Sequence, residues 1–350
     1  MGQLTNVYGI PQAIVAAVMR PSDYNSGKSD LTASMIDEAP RIIQLRKRHA
    51  DEIVEDAADR IWALLGQIVH KILEKADDYQ AFDEERIFIK RRGWIISGQT
   101  DVYTTRETVE WAKLEEAMKR LKDREYNEDV EIALDRYYNE FGRDEIKLME
   151  ELAGTIVPVY KKIAPLVRDY KFVKTGARYF NKKHEPQLNI CAHLFREHGF
   201  EVTGLEVINI YRDWSPEEAA RRSSYPPPVE KFPQKLWSPE KAEDYIDERI
   251  LLHKSAAQLP DELLPFCTDE DKWQRPTCHS VMKPKRASAV RNFYDKEGKS
   301  GYELAQQFIK TQKKPESLYI DTKPGEPVRC LRYCDVAPFC NQFKMWKERN

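Results

Sequence analysis

The chain has 350 residues, of which 41% are hydrophobic, 11% aromatic and 33% charged, with a formal net charge of only -2. This composition excludes a disordered polymer and supplies enough apolar material for more than one ordinary domain. The near balance of charge excludes a global field for polyanions, so contact with nucleic acid would rest on local basic runs: Arg46-Lys47-Arg48-His49, Lys90-Arg91-Arg92 and the segment from Lys171 through Lys183-His184. No stretch reaches the ~18–20 apolar residues of a membrane span, and Ile10 to Met19 is interrupted by Pro11, so a cytoplasmic protein is expected. Without a secretory leader, six cysteines favour reduced thiols over a disulfide framework.

Residues 31–49 read as a helix entry followed by a basic helix, with Thr32 or Ser34 available as a cap. From Asp56 to Lys75 the apolar residues Ile61, Leu65, Ile68 and Ile72 recur at helical spacing. Gly66, His70 and Glu74 follow at i, i+4 and i+8 on the other face, so the helix is expected to pack by its apolar stripe and present His70 from the free side. Arg86 to Lys90 and Trp94 to Tyr103 predict two strands joined at Arg91-Arg92-Gly93, with Gly98 and Asp101 near the end of the second.

Residues 106–163 carry long charged stretches and are predicted to be mainly helical. Leu166 to Val173 predicts a third strand on which Asp169 and Lys171 share a face and Tyr170 points to the other. A helix from Pro186 to His198, with Gln187 in its first turn, precedes a fourth strand from Leu205 to Tyr211. Ser215-Pro216-Glu217-Glu218 fits a capping box, and Ser238-Pro239-Glu240 marks another helix start. Residues 261–350 are loop-rich and hold five of the six cysteines, which suits a module stabilised by a metal.

Taken in order, His70, Asp101, Asp169 and Lys171 offer an imidazole, two carboxylates and an amine. Hydrolysis of a phosphodiester needs a nucleophilic water, neutralised phosphate charge and a stabilised leaving oxyanion, and a divalent metal held by carboxylates serves all three. Asp101 and Asp169 are hard ligands for Mg²⁺ or Mn²⁺, His70 adds a nitrogen that suits Mn²⁺, and Lys171 can orient water or balance developing charge. Cys330-x3-Cys334-x5-Cys340 gathers three thiols that suggest a second metal, either a [4Fe-4S] cluster or structural Zn²⁺ once a fourth ligand joins.

The segments Gly66-Gln67-Ile68-Val69-His70-Lys71-Ile72-Leu73-Glu74, Ser97-Gly98-Gln99-Thr100-Asp101, Asp169-Tyr170-Lys171 and Gln187 together resemble the RecB-type branch of the PD-(D/E)xK nucleases. Within that branch the likeness is to phage and prophage exonucleases related to the CRISPR adaptation nucleases. It continues through Arg212-Asp213-Trp214-Ser215, Cys267-Thr268 with Trp273, and the terminal cysteines. The resemblance implies an α/β (α+β) fold: a restriction-endonuclease-like core with a mixed central sheet between helices, a helical insertion over 104–164 and a cysteine-rich C-terminal module. The nuclease domain would span 1–260 and the cysteine module 261–350.

It also implies metal ligation by His70, Asp101 and Asp169, catalysis by Lys171, a supporting Gln187, and Glu74 as a neighbouring partner or ligand to a second ion. Cys267 would join Cys330, Cys334 and Cys340, preferred over Cys278 for its Cys-Thr-x4-Trp setting, around a [4Fe-4S] cluster. The implied activity is a metal-dependent DNA exonuclease acting on single-stranded or duplex ends, in the host cytoplasm if phage-encoded and with a phage annealing or recombination protein as a possible partner. A non-catalytic DNA-binding scaffold and a CRISPR-style adaptation nuclease are the alternatives. Three departures stand out: Cys191 where relatives carry Tyr, no cysteine before it, and the long interval between Asp101 and Asp169.

Overall fold

The computed structural model describes residues 3–19, 27–76, 82–83, 86–116, 119, 154–296 and 298–349. The chain forms two compact units. One, here the motif unit, comprises residues 6–37 and 57–251; the other, the cysteine unit, comprises 1–5, 38–56 and 252–350. The division falls inside the helix Pro239–Ala257 rather than at 260/261, and the basic helix Pro40–Arg48 groups with the C-terminal residues instead of with the nuclease motifs.

In the motif unit, five strands run in the order β10 (Val229–Gln234), β9 (Gly204–Tyr211), β8 (Ile156–Val173), β7 (Val102–Lys113) and β4 (Phe82–Asp83). The sheet is mixed: β8 and β9 are parallel, and the other pairs are antiparallel. The parallel step demands a crossover, supplied by the helix Glu185–Glu197. A second sheet orders β2 (Leu31–Thr32), β6 (Trp94–Gly98) and β5 (Ile87–Arg91). The β5–β6 hairpin turns at Arg92 and Gly93, with φ of 49° and 78°, the consecutive left-handed pair of a tight two-residue turn.

Leu31, Ile36, Ile96, Val167, Leu194, Phe195, Leu205 and Val207 fill the core of this unit, where Tyr103 stacks on Phe195 at 5.0 Å. The crossover helix is buried from Leu188 through Phe195, which fixes it against the sheet and thereby the registry of its first turn.

Three sequence expectations are corrected. Residues 106–113 and 156–163 are not helical: they belong to the two longest strands, β7 and β8, which pair antiparallel. The β-branched and aromatic residues of Thr104-Thr105, Thr108-Val109 and Ile156-Val157-Pro158-Val159-Tyr160 outweigh the charges between them. The centre of the expected insertion, 120–153, lies outside the described residues.

The strand expected over 94–103 is broken at Gln99–Asp101, so that β6 and β7 enter different sheets. Finally, Ile68 and Ile72 of the His70 helix (Ile61–Ala76) are 45% and 61% exposed, whereas His70 is half-buried. Apolar residues occur nearly all round this helix, and the side that turns inward is the one carrying His70.

The cysteine unit combines short elements. β1 (Gln3–Thr5) pairs parallel with β3 (Val54–Asp56), and an antiparallel sheet runs β12 (Arg291–Tyr294), β11 (Cys278–Met282), β13 (Tyr319–Lys323). Its core gathers Ile42, Leu45, Ile53, Leu264, Val336 and Phe343 around Cys340. Both units mix sheets with helices, so the α+β class expected from the sequence holds at that level.

Candidate functional site

Whether the carboxylates meet depends on β8 returning beside the break that carries Asp101. It does: Val102 of β7 lies opposite Arg168 of β8, and Thr100 Oγ1 donates to the Arg168 carbonyl at 2.9 Å. The Tyr170 amide then donates to Asp101 Oδ2 at 2.6 Å. A backbone amide of β8 thus fixes one oxygen of Asp101. His70 Nδ1 lies 3.3 Å from the other, Oδ1.

Asp169 and Lys171 share a strand face as their spacing predicts, and Lys171 Nζ lies 2.7 Å from Asp169, donating to Oδ1. Asp169 Oδ2 is also 2.7 Å from the ammonium, yet it is buried and receives no well-directed hydrogen bond. Across the parallel ladder, Asn209 of β9 stands opposite Lys171 and is 1% exposed. Nothing in the sequence marked Asn209, because a polar residue within the apolar run Val207-Ile208-Asn209-Ile210 acquires meaning only from that register.

Burial pushes the Asp169 carboxyl up, against the pull of Lys171. Burial alone would lower the Lys171 ammonium, but Asp169 and Asp101 outweigh it and leave it raised. His70 is raised chiefly by its hydrogen bond with Asp101. His184, at the N-terminal end of the crossover helix, is pushed down to about 3 by burial and then by Lys171 and Lys183, so it is a neutral imidazole in the field of the site.

Gln187 is half-buried in the first turn of the same helix. Glu74 belongs to the His70 helix, and its side chain lies outside the described set. The two glycines behave differently. A Cβ on Gly98 would meet Leu194 Cδ1 at 2.4 Å, so close packing excludes any side chain, whereas among the described residues a Cβ on Gly66 would meet nothing within 4 Å. Gly66 is therefore not required for close packing.

Cys191 is buried beneath the break, its thiol contacting the Gln99 carbonyl at 3.8 Å, and burial pushes it up to about 12. The side chain at this position packs beneath the Gly98–Gln99 backbone.

The cysteine unit holds a separate candidate. Cys267, Cys330, Cys334 and Cys340 line one small cavity with Arg41, Asp271, Lys272 and Arg329. Cys278 lies on β11 beside Ser280 and does not line it. Burial pushes Cys267 up to about 12 and Cys334 up to about 11, and it raises Cys330 as well, so these thiols are protonated unless a cation joins them. Among the described residues, neither the carboxylates nor the thiols are drawn together as a preformed ligand set for one ion.

Several arginines of the basic runs pair with acids of the protein. Arg46 pairs with Asp335 and Glu38, and Arg48 with Asp261. Arg91 pairs with Asp247 and Glu243, Arg92 with Asp247, and Arg178 with Glu230. These ion pairs engage Arg46, Arg48, Arg91, Arg92 and Arg178 of the three runs.

No protein-family model and no curated protein matches the chain. Among solved structures, one described as "Crystal structure of SSO0001" aligns over 70% of this chain and 87% of its own, at 12% identity and a TM-score of 0.38, a likeness too slight to assign fold or activity. Among the described residues, no helix is long and apolar enough to cross a membrane.

Proposed function

We propose that the chain is a metal-dependent DNA nuclease with a RecB-type PD-(D/E)xK core, acting as an exonuclease on single-stranded or duplex ends during phage or prophage recombination, repair or end processing. The observation that carries this reading is the meeting of motifs remote in sequence. The Tyr170 amide grips Asp101 at 2.6 Å, next to the Asp169–Lys171 pair on one side and His70 on the other.

His70, Asp101 and Asp169 would hold Mg²⁺ or Mn²⁺, which supplies a polarised water and neutralises phosphate charge. Two carboxylates and an imidazole suit such an ion, and Asp169 Oδ2 is a buried oxygen with lone pairs to give. Asp169 holds the Lys171 ammonium where it can orient the water and offset charge on the departing oxygen. The Tyr170 amide keeps Asp101 from rotating, so its Oδ1 stays toward His70. Asp101 favours the protonated imidazole, so His70 would have to give up a proton to serve as a ligand. Gln187 supports the site from the crossover helix, and Glu74 is the reserve carboxylate.

Cys267, Cys330, Cys334 and Cys340 are assigned to a [4Fe-4S] cluster, with structural Zn²⁺ as the alternative. The support is selective convergence: these four line one cavity, while Cys191 and Cys278 do not. Elemental analysis and an absorption spectrum of anaerobically purified protein separate the two metals.

The decisive assay incubates the purified protein with end-labelled single- and double-stranded DNA, with and without Mn²⁺. Degradation should require the metal and fall at least about a hundredfold in Lys171→Ala, with the circular dichroism spectrum preserved. Unchanged cleavage by that variant refutes the site. DNA binding without cleavage by the wild type would instead support a non-catalytic scaffold.

A further inference from the structure

Arg41 is 1% exposed and lines the cysteine cavity. Its guanidinium donates from Nε to the Pro265 carbonyl at 3.1 Å, from Nη2 to the Leu264 carbonyl and from Nη1 to Asn341 Oδ1. Nη1 also points at Cys340 Sγ, 3.9 Å away, and the Phe266 ring lies 5.0 Å from Cζ. None of these partners is an acid.

Among the described residues, Arg41 has no carboxylate within ion-pair distance. The other two cations of the cavity do: Arg329 pairs with Glu38, and Lys272 with Asp269 at 2.9 Å. A guanidinium cannot neutralise itself by losing its proton, and a buried cation without an anion is strongly unfavourable. Carbonyl dipoles offset part of that cost. Asp271 also lines the cavity, but its carboxylate accepts the Thr268 amide in a helix cap and makes no ion pair with Arg41 among the described residues, so the anion that Arg41 lacks would come from the cysteines.

We propose that Arg41 is the counter-ion of an anionic metal–thiolate centre formed by Cys267, Cys330, Cys334 and Cys340. The inference rests on the metal reading of these cysteines given above. Four thiolates around a dipositive ion or a dipositive iron–sulfur cube leave two net negative charges. Arg41 returns one positive charge, and its Nη1 supplies an N–H to the Cys340 sulfur, a contact of the kind that tunes sulfur-ligated centres. Arg41 is thus a positioning and charge-compensating residue, not a ligand. The competing reading is purely mechanical, a clamp joining residues 264–265 to Asn341.

Arg41→Met and Arg41→Lys separate the two, because lysine keeps the charge but cannot span both carbonyls and the amide. The full chain, purified anaerobically, is assayed for iron and zinc and then for the rate of metal release to excess EDTA and bathophenanthroline. Arg41→Met should release metal at least about tenfold faster than the wild type, with Arg41→Lys within about threefold of it. If the centre contains iron, Arg41→Met should also disfavour one-electron reduction by about tenfold, a shift of 59 mV, whereas Arg41→Lys should not.

Equal release by wild type and Arg41→Met from metal-loaded protein overturns the counter-ion role alone. Equally fast release by both variants assigns Arg41 to the clamp and also overturns it. Should Arg41→Met fail to fold, Arg41→Lys decides: release near the wild-type rate supports the proposal, and release about tenfold faster overturns it. Wild-type protein carrying neither metal overturns the metal reading and the inference together.

Discussion

At the carboxylate site each acid meets a base of its own chain: Asp169 has Lys171 at 2.7 Å, and Asp101 has His70 at 3.3 Å. The cysteine cavity is arranged the other way. Burial pushes Cys267, Cys330 and Cys334 toward the neutral form, and among the described residues Arg41 stands beside them with no carboxylate in ion-pair distance. A site whose charges close internally can hold its shape before any ion arrives. A cavity with a buried cation and no paired acid would gain stability from an anionic centre, so on the proposed reading metal should matter to folding in one unit and to turnover in the other.

The largest effect expected from this contrast is therefore on the cysteine unit. Stripping the metal proposed for it, or replacing Cys334 with Ser, should destabilise that unit by about 5 kcal/mol or more, since binding free energy at thiolate centres is folding free energy. Limited proteolysis read by mass spectrometry should find new cuts within 252–350 while 154–251 stays protected. Cuts appearing first in the motif unit would break the contrast.

Packing around the carboxylate site should be the next most sensitive feature. Gly98→Ala places a methyl 2.4 Å from Leu194 Cδ1 and 3.3 Å from Cys191 Sγ, under the backbone that carries Asp101. Overpacking of this kind costs about 1–3 kcal/mol. Chemical denaturation should register that loss with or without Mn²⁺. Gly66→Ala, with open space around the new methyl, should be neutral or slightly stabilising because alanine favours a helix interior.

The claim of internal charge closure can be tested directly. Lys171→Ala leaves the buried Asp169 without its ammonium and should cost about 2 kcal/mol, the range of a hydrogen bond to a charged group. Adding Asp169→Asn should recover about half of that loss or more, while activity stays absent in both variants. Additive losses in the double mutant would mean that the pair is not the unit proposed.

These contrasts also explain what was legible in the sequence. The order His70, Asp101, Asp169, Lys171 was readable because strand periodicity puts Asp169 and Lys171 on one face, and the structure keeps that pair. The turn at Arg92–Gly93, the cap at Ser215 and the crossover helix follow from local chemistry, so local reading found them. The facing of the His70 helix was not readable: with Ile68 and Ile72 on one side and Val69 and Leu73 on another, periodicity alone cannot choose the buried side. Extension of β7 and β8 through charged segments depends on cross-strand pairing, a long-range property. Arg41 belongs to the same basic helix as Arg46 and Arg48, and its burial at the cysteines, a long-range property, sets it apart from those two, which pair with acids.

The smallest effect expected lies at a charge cluster away from both sites, and it serves as the control for reading basic runs as DNA contacts. Arg91, then Arg92, hold the Asp247 carboxyl down at about 2 against the opposing effect of burial. A group whose folded value lies below its unfolded one, here 3.8, contributes stability that is complete above the unfolded value and disappears as pH falls through about 2. Asp247→Asn should therefore cost about 1 kcal/mol at pH 7, after allowance for solvent screening around the half-exposed Arg92, and nothing near pH 1.5. Denaturant melts of both proteins across pH 1.5–7 measure this. Because both guanidiniums already have acids, Arg92→Gln should leave affinity for a single-stranded oligonucleotide within about twofold, with an unchanged salt slope. A slope that falls by about one unit would instead place the Lys90–Arg92 turn on the phosphate backbone, showing that DNA outcompetes Asp247 for Arg92.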